Sequence, residues 1–398
     1  MSFINFTKLT CFLLICLFSS YTYSSSIYER KGPGGFSITA FDRVGERSIG
    51  GYFDTEYFNV IDSDYTTSKT DKASTFKAHR FILELSSQIH EDILVSSEIE
   101  FEYGGYVTNT DSAENTQLGQ IKIEQAWVDY KLSDSFVNRA GIILVPFGRV
   151  NVLHDSDVRD ATQRPIYSKY IIPSTWMDTG VGFHGVKDVN DLELGYEVYV
   201  FNGLADTSDS NDDISISNGI RSARPNFKQD NNGSKAISAR VEVSPKLGLN
   251  LGMSLYSGKY DDAGDNGLVL SGLDLFYKSG RYETILEFAK AYIDNNGSTT
   301  IPAQMEGGYL EFRSHVLHDF LRNKLPSLSK PVITLFSRVG YANTDTMLNN
   351  TTVRYTLGFN FRPTESLVYK FEISHDDYQQ VSETGHTTQI VSSVAVGF

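Results

Sequence analysis

The chain has 398 residues, a formal net charge of −14 and two cysteines, with 13% aromatic residues, mostly Tyr and Phe, and 32 glycines. An acid surplus of this size repels nucleic acid. Both cysteines, Cys11 and Cys16, lie in the first apolar stretch, which leaves the remainder without a disulfide framework or a thiolate metal site.

From the amino terminus, Lys8 is followed by the apolar run Cys11–Phe18 and by Ser24, Ser25 and Ser26. A basic residue, a short apolar run and small residues at its exit read as a cleavable signal peptide over 1–26. The run is shorter than the roughly 20 apolar residues of a membrane helix, and the bulky Ile15 before Cys16 fits a lipoprotein signal poorly. Without residues 1–26 the chain has 34 basic and 49 acidic residues and no cysteine.

The rest alternates. Sixteen segments, centred roughly on 53, 81, 99, 127, 141, 183, 197, 239, 252, 274, 286, 310, 337, 357, 371 and 393, place apolar and polar residues at every second position. Tyr355, Leu357, Phe359 and Phe361, for example, alternate with Arg354, Thr356, Gly358, Asn360 and Arg362. Successive side chains of a strand point to opposite faces, so each segment has one apolar face and one polar or charged face. The segments approach the 9–11 residues of a tilted membrane strand. Short connections such as Lys131–Phe136, Lys187–Asp191, Ser244–Lys246 and Arg362–Glu365 alternate with long polar ones such as 60–74, 104–119, 148–178 and 203–234. Only Ser314–Pro331 breaks this rhythm, with a helical turn expected over Val316–Leu325. Short turns on one side, long loops on the other and an even strand count describe an all-β fold, a transmembrane antiparallel β-barrel of the Gram-negative outer membrane over 27–398.

Charged residues on the lipid face of such a barrel cost about 2–4 kcal/mol for Arg or Lys at mid-bilayer, so strand parity assigns them to the lumen. The wall then carries Arg80, Arg139, Arg240, Arg313, Arg338 and Arg354, with Glu84, Glu98, Glu100, Glu102, Glu193, Glu197, Glu283, Glu287, Glu311 and Glu372. These either set selectivity or pair in ladders that only stiffen the wall. The surplus of Glu over Arg leans toward cations. The terminal Phe398, ending an alternating strand, reads as the signal recognised by the barrel-assembly machinery. No Gly-x-Ser-x-Gly, His-Glu-x-x-His or phosphate-cradling glycine loop occurs, so neither an enzyme nor a cofactor or metal centre is expected.

The central third runs Glu124-Gln125-Ala126-Trp127-Val128-Asp129-Tyr130, Arg139-Ala140-Gly141 and Val145-Pro146-Phe147-Gly148-Arg149. His154-Asp155, Arg164-Pro165, Ile172-Pro173-Ser174-Thr175-Trp176, Asp178-Thr179-Gly180-Val181-Gly182 and Tyr199-Val200-Phe201-Asn202-Gly203 follow. This block resembles the phosphate-selective porin O and P family, specifically over 98–203 and more loosely through Phe361-Arg362-Pro363 to Phe398. The resemblance implies sixteen strands, a trimer, and a third outer loop folded into the pore. Here that loop is 148–178, stiffened by Pro165 and Pro173. Its constriction residues would be Arg149, His154, Asp155, Asp157, Arg159, Asp160, Arg164 and Lys169, whose opposed charges filter small polar solutes by size and charge. Phosphate capture needs clustered cations, whereas the next loop, 203–234, carries Asp206, Asp209, Asp212, Asp213 and Asp230 against Arg221, Arg224 and Lys228. The expected function is passive diffusion of small hydrophilic solutes or ions, with an anionic substrate as the option that the resemblance adds, and with outer-membrane lipid and lipopolysaccharide as surroundings. The alternative is a barrel that acts in adhesion, binding or structure through its surface loops.

Overall fold

The computed structural model describes residues 44–64, 74–105, 119–133, 135–190, 192–206, 213–225, 227–316, 318–328, 331–381 and 384–398. The expected signal peptide lies outside them.

Among these residues, sixteen strands close into one antiparallel barrel in chain order, each paired with its sequence neighbours and the first with the last. They are β1 Arg47–Ser63, β2 Thr75–His90, β3 Ile93–Glu102, β4 Gln120–Ser133, β5 Phe136–Leu144, β6 Met177–Val189, β7 Leu192–Phe201 and β8 Ala236–Lys246. Then come β9 Leu249–Lys259, β10 Gly267–Ser279, β11 Tyr282–Ile293, β12 Gln304–Val316, β13 Val332–Asn343, β14 Thr351–Arg362, β15 Leu367–Gln379 and β16 Thr384–Gly397. Among the described residues three short α-helices interrupt the loops, α1 Arg149–Val152, α2 Tyr167–Tyr170 and α3 His318–Lys324, beside one 3-10 turn at Arg221–Ala223. The last fills the one long connection on the short-turn side, where a helical turn is expected.

Alternation explains the closure. On β14, Thr352, Thr356, Asn360 and Arg362 are buried while Tyr355, Leu357 and Phe359 are exposed. The same outward band includes Phe183, Leu255, Leu273, Leu286, Leu310 and Leu335. An apolar belt of this extent is out of place in water and natural in a bilayer. Phe398 closes the seam: its N–H donates to the Gly51 carbonyl at 2.9 Å, Gly51 N–H donates back at 3.2 Å, and its ring stacks on Phe81.

One local expectation changes. The turn expected at Ser244–Lys246 lies one step later, around Leu247 and Gly248, because β8 absorbs Pro245 at a register shift between Val243 and Lys246. A proline without an N–H is accommodated at such an irregularity. A second shift, between Glu98 and Ile99 of β3, faces β4 at Glu124. There both Glu124 and Gln125 are buried, and the inward phase changes from Lys122–Glu124 to Gln125–Trp127–Asp129.

Candidate functional site

The barrel interior has an apolar half and a charged half. Val145, Phe147, Val150, Tyr167, Ile171, Ile172 and Trp176 of the loop between β5 and β6 join Tyr199, Phe201, Tyr256, Leu270, Ala289 and Met305 of the wall in one buried cluster. Small wall residues make room for the loop. A Cβ at Gly307 would stand 2.7 Å from Tyr167 Cβ, so only a glycine lets α2 approach there. Leu204, Ile214, Ile220 and Ala223, from the loop after β7, complete the cluster. That loop, read from the sequence as an acid-rich outer loop, therefore folds inward as well; Asp209 and Asp212 lie outside the described residues.

The loop after β5 crosses to the opposite wall. Thr162 and Gln163 donate their N–H groups to the two oxygens of Glu372, each at 2.9 Å. Asp160 accepts from Asn360 at 3.0 Å and pairs with Arg313 at 3.0 Å and Arg362 at 3.4 Å. Asp155 accepts from the Tyr52 hydroxyl at 3.4 Å. Val150 N–H donates to Glu287, so this expected wall carboxylate serves as a loop anchor.

Most expected wall charges are consumed by pairing. Arg139 clasps Asp129 through two bonds of 2.7 Å, Arg240 clasps Asp274 at 2.6 and 3.0 Å, and Arg354 clasps Asp376 at 2.5 and 2.6 Å. Glu311 takes both Arg313 and Arg338 at 2.5 Å. Glu197 accepts from the Tyr199 hydroxyl at 3.2 Å, and Glu98 from Gln125 at 2.9 Å. Glu84 is half-buried on the inward face of β2. The partners Asp129, Asp274 and Asp376 escape a sequence search for Glu–Arg contrasts, although Asp129 and Asp376 stand directly across the ladder from their arginines.

The loops differ from the wall. Arg159 donates to the carbonyls of His154 at 3.0 Å and Thr162 at 2.7 Å. Arg164 donates to Ser174 Oγ at 3.1 Å and to the His154 carbonyl at 3.4 Å. Arg221 donates to the Ser174 carbonyl, and Arg224 to that of Thr175 at 2.9 Å. Among the described residues none of these four makes an ion pair, and all are half-buried. Burial pushes all four below the usual arginine range and brings Arg221 down to about 10; Arg80 adds to it at Arg159, Arg80 and Arg159 at Arg164, and Arg224 at Arg221, while Glu102, Glu124 and Glu100 act in the opposite direction on Arg224. A guanidinium at neutral pH stays protonated, so each of the four holds its positive charge in a desolvated setting with no carboxylate in contact.

Opposite them stands an acidic row on β3 and β4. Glu100, Glu102 and Glu124 act on Arg221 or Arg224 through space without contact. This row is partly neutralised: Lys122 lies 2.5 Å from Glu100, 3.5 Å from Glu124 and 4.0 Å from Glu102, and Arg80 lies 3.5 Å from Glu100. An unpaired arginine face thus confronts a partly paired glutamate face.

Of the expected constriction residues, Arg159 and Arg164 form the arginine face, while His154 and Asp155 are buried against the acidic side. Asp160 is an anchor, and Arg362 donates to the Asp157 carbonyl at 2.8 Å. Arg149 lies over the Phe276 ring at 4.6 Å, and Lys169 is exposed beside Tyr170. Sequence reasoning passed over Arg221 and Arg224 as constriction residues because neighbouring aspartates marked their loop as solvated. The signal that could have found them is the Ile214, Ile220 and Ala223 spacing, which needs shelter.

The two loops meet at Gly219, whose φ is +62° and whose Cβ would lie 2.1 Å from the Tyr170 carbonyl oxygen. Ile220 N–H donates to that same oxygen at 2.7 Å. Gly219→Val therefore separates the loops and displaces Arg221 and Arg224. We expect faster limited tryptic proteolysis after Arg221 in the folded barrel, with wild-type cleavage as the reference.

The model of the family described as phosphate-selective porin O and P matches residues 56–275. The chain belongs to that family. A protein of Aquifex aeolicus (strain VF5), described only as uncharacterized, is 28% identical over 291 residues, which are 69% of this chain and 62% of that relative. The match thus spans less than two thirds of the curated relative. The anion-selective porin from Comamonas acidovorans superposes with a TM-score of 0.58 at 11% identity, covering 89% of this chain and all of that one. The in-vitro folded trimer form of OmpT from Vibrio cholerae gives 0.51 at 11% identity, over 89% and all of the two chains. These likenesses carry the fold, and with the family they place this porin O and P member in the Gram-negative outer membrane.

Proposed function

We propose that the barrel is a passive channel for small hydrophilic solutes with a preference for anions, working as a homotrimer. The observation that carries this reading is the face of Arg159, Arg164, Arg221 and Arg224, bonded to carbonyls and hydroxyls and to no carboxylate among the described residues. Half-buried guanidiniums whose bonds go to neutral groups keep their charge available to a passing solute. An anion at this point exchanges part of its hydration for directed N–H donors. A cation finds the facing carboxylates already shared with Lys122 and Arg80. The opposed faces also orient dipolar solutes across the passage. The surplus of wall glutamates does not set selectivity on this reading, because most of those carboxylates are shared with wall cations, neutral wall donors or loop N–H groups.

The anion selectivity of the Comamonas porin and the trimer form of OmpT support the two finer parts of the proposal. Residues 1–26 serve as the export signal, and Phe398 as the mark for barrel assembly. Planar-bilayer recording with heat-modifiable protein tests the channel and the trimer together. Stepwise conductance that closes in thirds is expected; a silent bilayer with folded protein would leave a sealed barrel that acts through its loops.

A further inference from the structure

The outward face of the barrel is aromatic at the short-turn ends of β10, β11 and β12. Register gathers three rings around one point: Thr284 stands across the ladder from Tyr277 on one side and from Phe312 on the other. Tyr282, two residues before Thr284, shares its face and stacks on Phe312 with ring centroids 5.7 Å apart. Diagonal neighbours on one sheet face lie within reach of aromatic side chains. Rings at the ends of barrel strands form the girdle that meets lipid headgroups, so this cluster marks the level where acyl chains give way to headgroups.

Two cations are seated on the cluster. Lys246 Nζ lies 5.7 Å from the Tyr277 ring centroid, and the Arg281 guanidinium lies 5.0 Å from that of Tyr282. Arg281 Nη2 also donates to the Tyr282 hydroxyl at 2.8 Å. The face of an aromatic ring attracts a cation, which keeps both charges close to the wall. Arg322 and Lys324 of α3, in the connection after β12, add two exposed cations. Among the described residues none of these four makes an ion pair.

This sector of the rim carries one sign of charge. Among the described side chains, the turns after β8, β10 and β12 hold Lys246, Lys278, Arg281, Arg322 and Lys324 and no carboxylate. Lys278 alone is spent, 3.1 Å from the inward Glu283. Elsewhere on the same rim the signs mix, as at Glu91 and Asp92 after β2, Lys187 and Asp188 after β6, and Glu365 after β14. At the opposite end of β11 the same motif recurs, with Lys290 over Tyr292 at 5.4 Å, but there Glu306 offsets the charge at 3.1 Å. On α3 the cations share their turns with Phe320, 56% exposed, and Leu325, 39% exposed. Apolar side chains beside cations continue the lipid belt to the headgroup level.

Cations held at headgroup depth, directly against hydrocarbon, suit a phosphodiester joined to acyl chains. An ethanolamine headgroup would bring its ammonium among four cations with no carboxylate to receive it. A headgroup charged only at its phosphate meets charge-assisted donors and no repulsion. We propose that Lys246, Arg281, Arg322 and Lys324 bind the phosphate of one anionic phospholipid of the periplasmic leaflet, whose acyl chains lie against the aromatic cluster. The lipid ties α3 to the rim and sets the depth of this side of the barrel in the membrane.

The test titrates folded, delipidated protein in detergent with dioleoylphosphatidylglycerol or dioleoylphosphatidylethanolamine and counts retained lipid by native mass spectrometry. Wild-type protein should keep phosphatidylglycerol roughly fivefold more tightly or better. Lys246→Gln with Arg281→Gln, and Arg322→Gln with Lys324→Gln, should each weaken that binding roughly fivefold or more. Lys290→Gln should bind as wild type. These side chains lie on the surface, so heat-modifiable barrels are expected from every variant. Equal retention of the two lipids by wild type overturns the proposal, as does unchanged phosphatidylglycerol binding in either double variant. Equal weakening by Lys290→Gln would mean diffuse charge in place of a site. A Lys246 and Arg281 variant that falls to monomers yet keeps its lipid would assign the sector to contact between copies of the chain, and also overturns it.

Discussion

Replacing Arg164, Arg221 and Arg224 together by alanine should lower the chloride-to-potassium permeability ratio at least tenfold at 0.1 M salt. The expectation follows from the missing carboxylate partners. A charge about 8 Å from a permeating ion, at an effective dielectric constant of roughly 40 in a half-aqueous passage, contributes about 1 kcal/mol. That is about fivefold per arginine, and three adjacent ones act in the same direction. At 1 M salt, where the screening length falls to about 3 Å, the difference should shrink severalfold. The matching control is Arg240→Ala. That wall guanidinium is clasped by Asp274 at 2.6 Å, so its removal should disturb stability more than selectivity. Reversal potentials of the three proteins under one gradient decide the point. Equal ratios in wild type and the triple variant would show that the loop arginines do not face the ion path.

The second large effect is structural. Trp176 is the largest fully buried side chain, packed against Phe147 and Tyr256 with ring centroids 6.1 and 4.8 Å away. Its backbone N–H donates to Asn151 Oδ1 at 2.8 Å, and its carbonyl accepts from Asn151 Nδ2 at 3.1 Å. Trp176→Ala leaves a cavity in the apolar half of the lumen, with an expected cost of about 3–5 kcal/mol. The loss also loosens Ser174 and Thr175, whose carbonyls hold Arg221 and Arg224. Trp176→Phe should cost far less, because the indole N–H is buried without a hydrogen-bond acceptor and its removal relieves a desolvated donor. Leu357→Ala, on the exposed outer face of β14, should cost less than Trp176→Ala, since no packed neighbour shell is emptied. Denaturant or heat titration of the folded barrel, read by its shifted electrophoretic mobility, ranks the three. A Trp176→Ala barrel as stable as wild type would mean that the loop contributes nothing to the fold.

The strands were legible because a barrel writes its two environments into every second residue. Tyr355, Leu357 and Phe359 have lipid outside, and Arg354, Thr356 and Asn360 have water or charge inside, so parity and register follow together. Parity fails where the backbone adds a residue. At β4, Ile121 and Ile123 face out while Lys122 and Glu124 face in, and the phase reverses at Gln125. The apolar residues record that change, but only as a conflict between two short patterns. The inward fold of the loop after β7 was hidden more deeply. Its aspartates dominate the composition, whereas Ile220 and Ala223, which decide its direction, are few. Charge pairing was least legible of all. Arg354 and Arg221 look alike in the sequence, and only their distances to Asp376 and to the Ser174 carbonyl separate a spent charge from an available one.

The central claim is that unpaired loop arginines, and not the more numerous wall glutamates, set the preference of the passage. The most direct test is the zero-current potential of wild-type channels in a planar bilayer under a tenfold potassium chloride gradient. The account predicts that the dilute side becomes negative, as chloride leads. A dilute side that becomes positive would show potassium leading, and would contradict it.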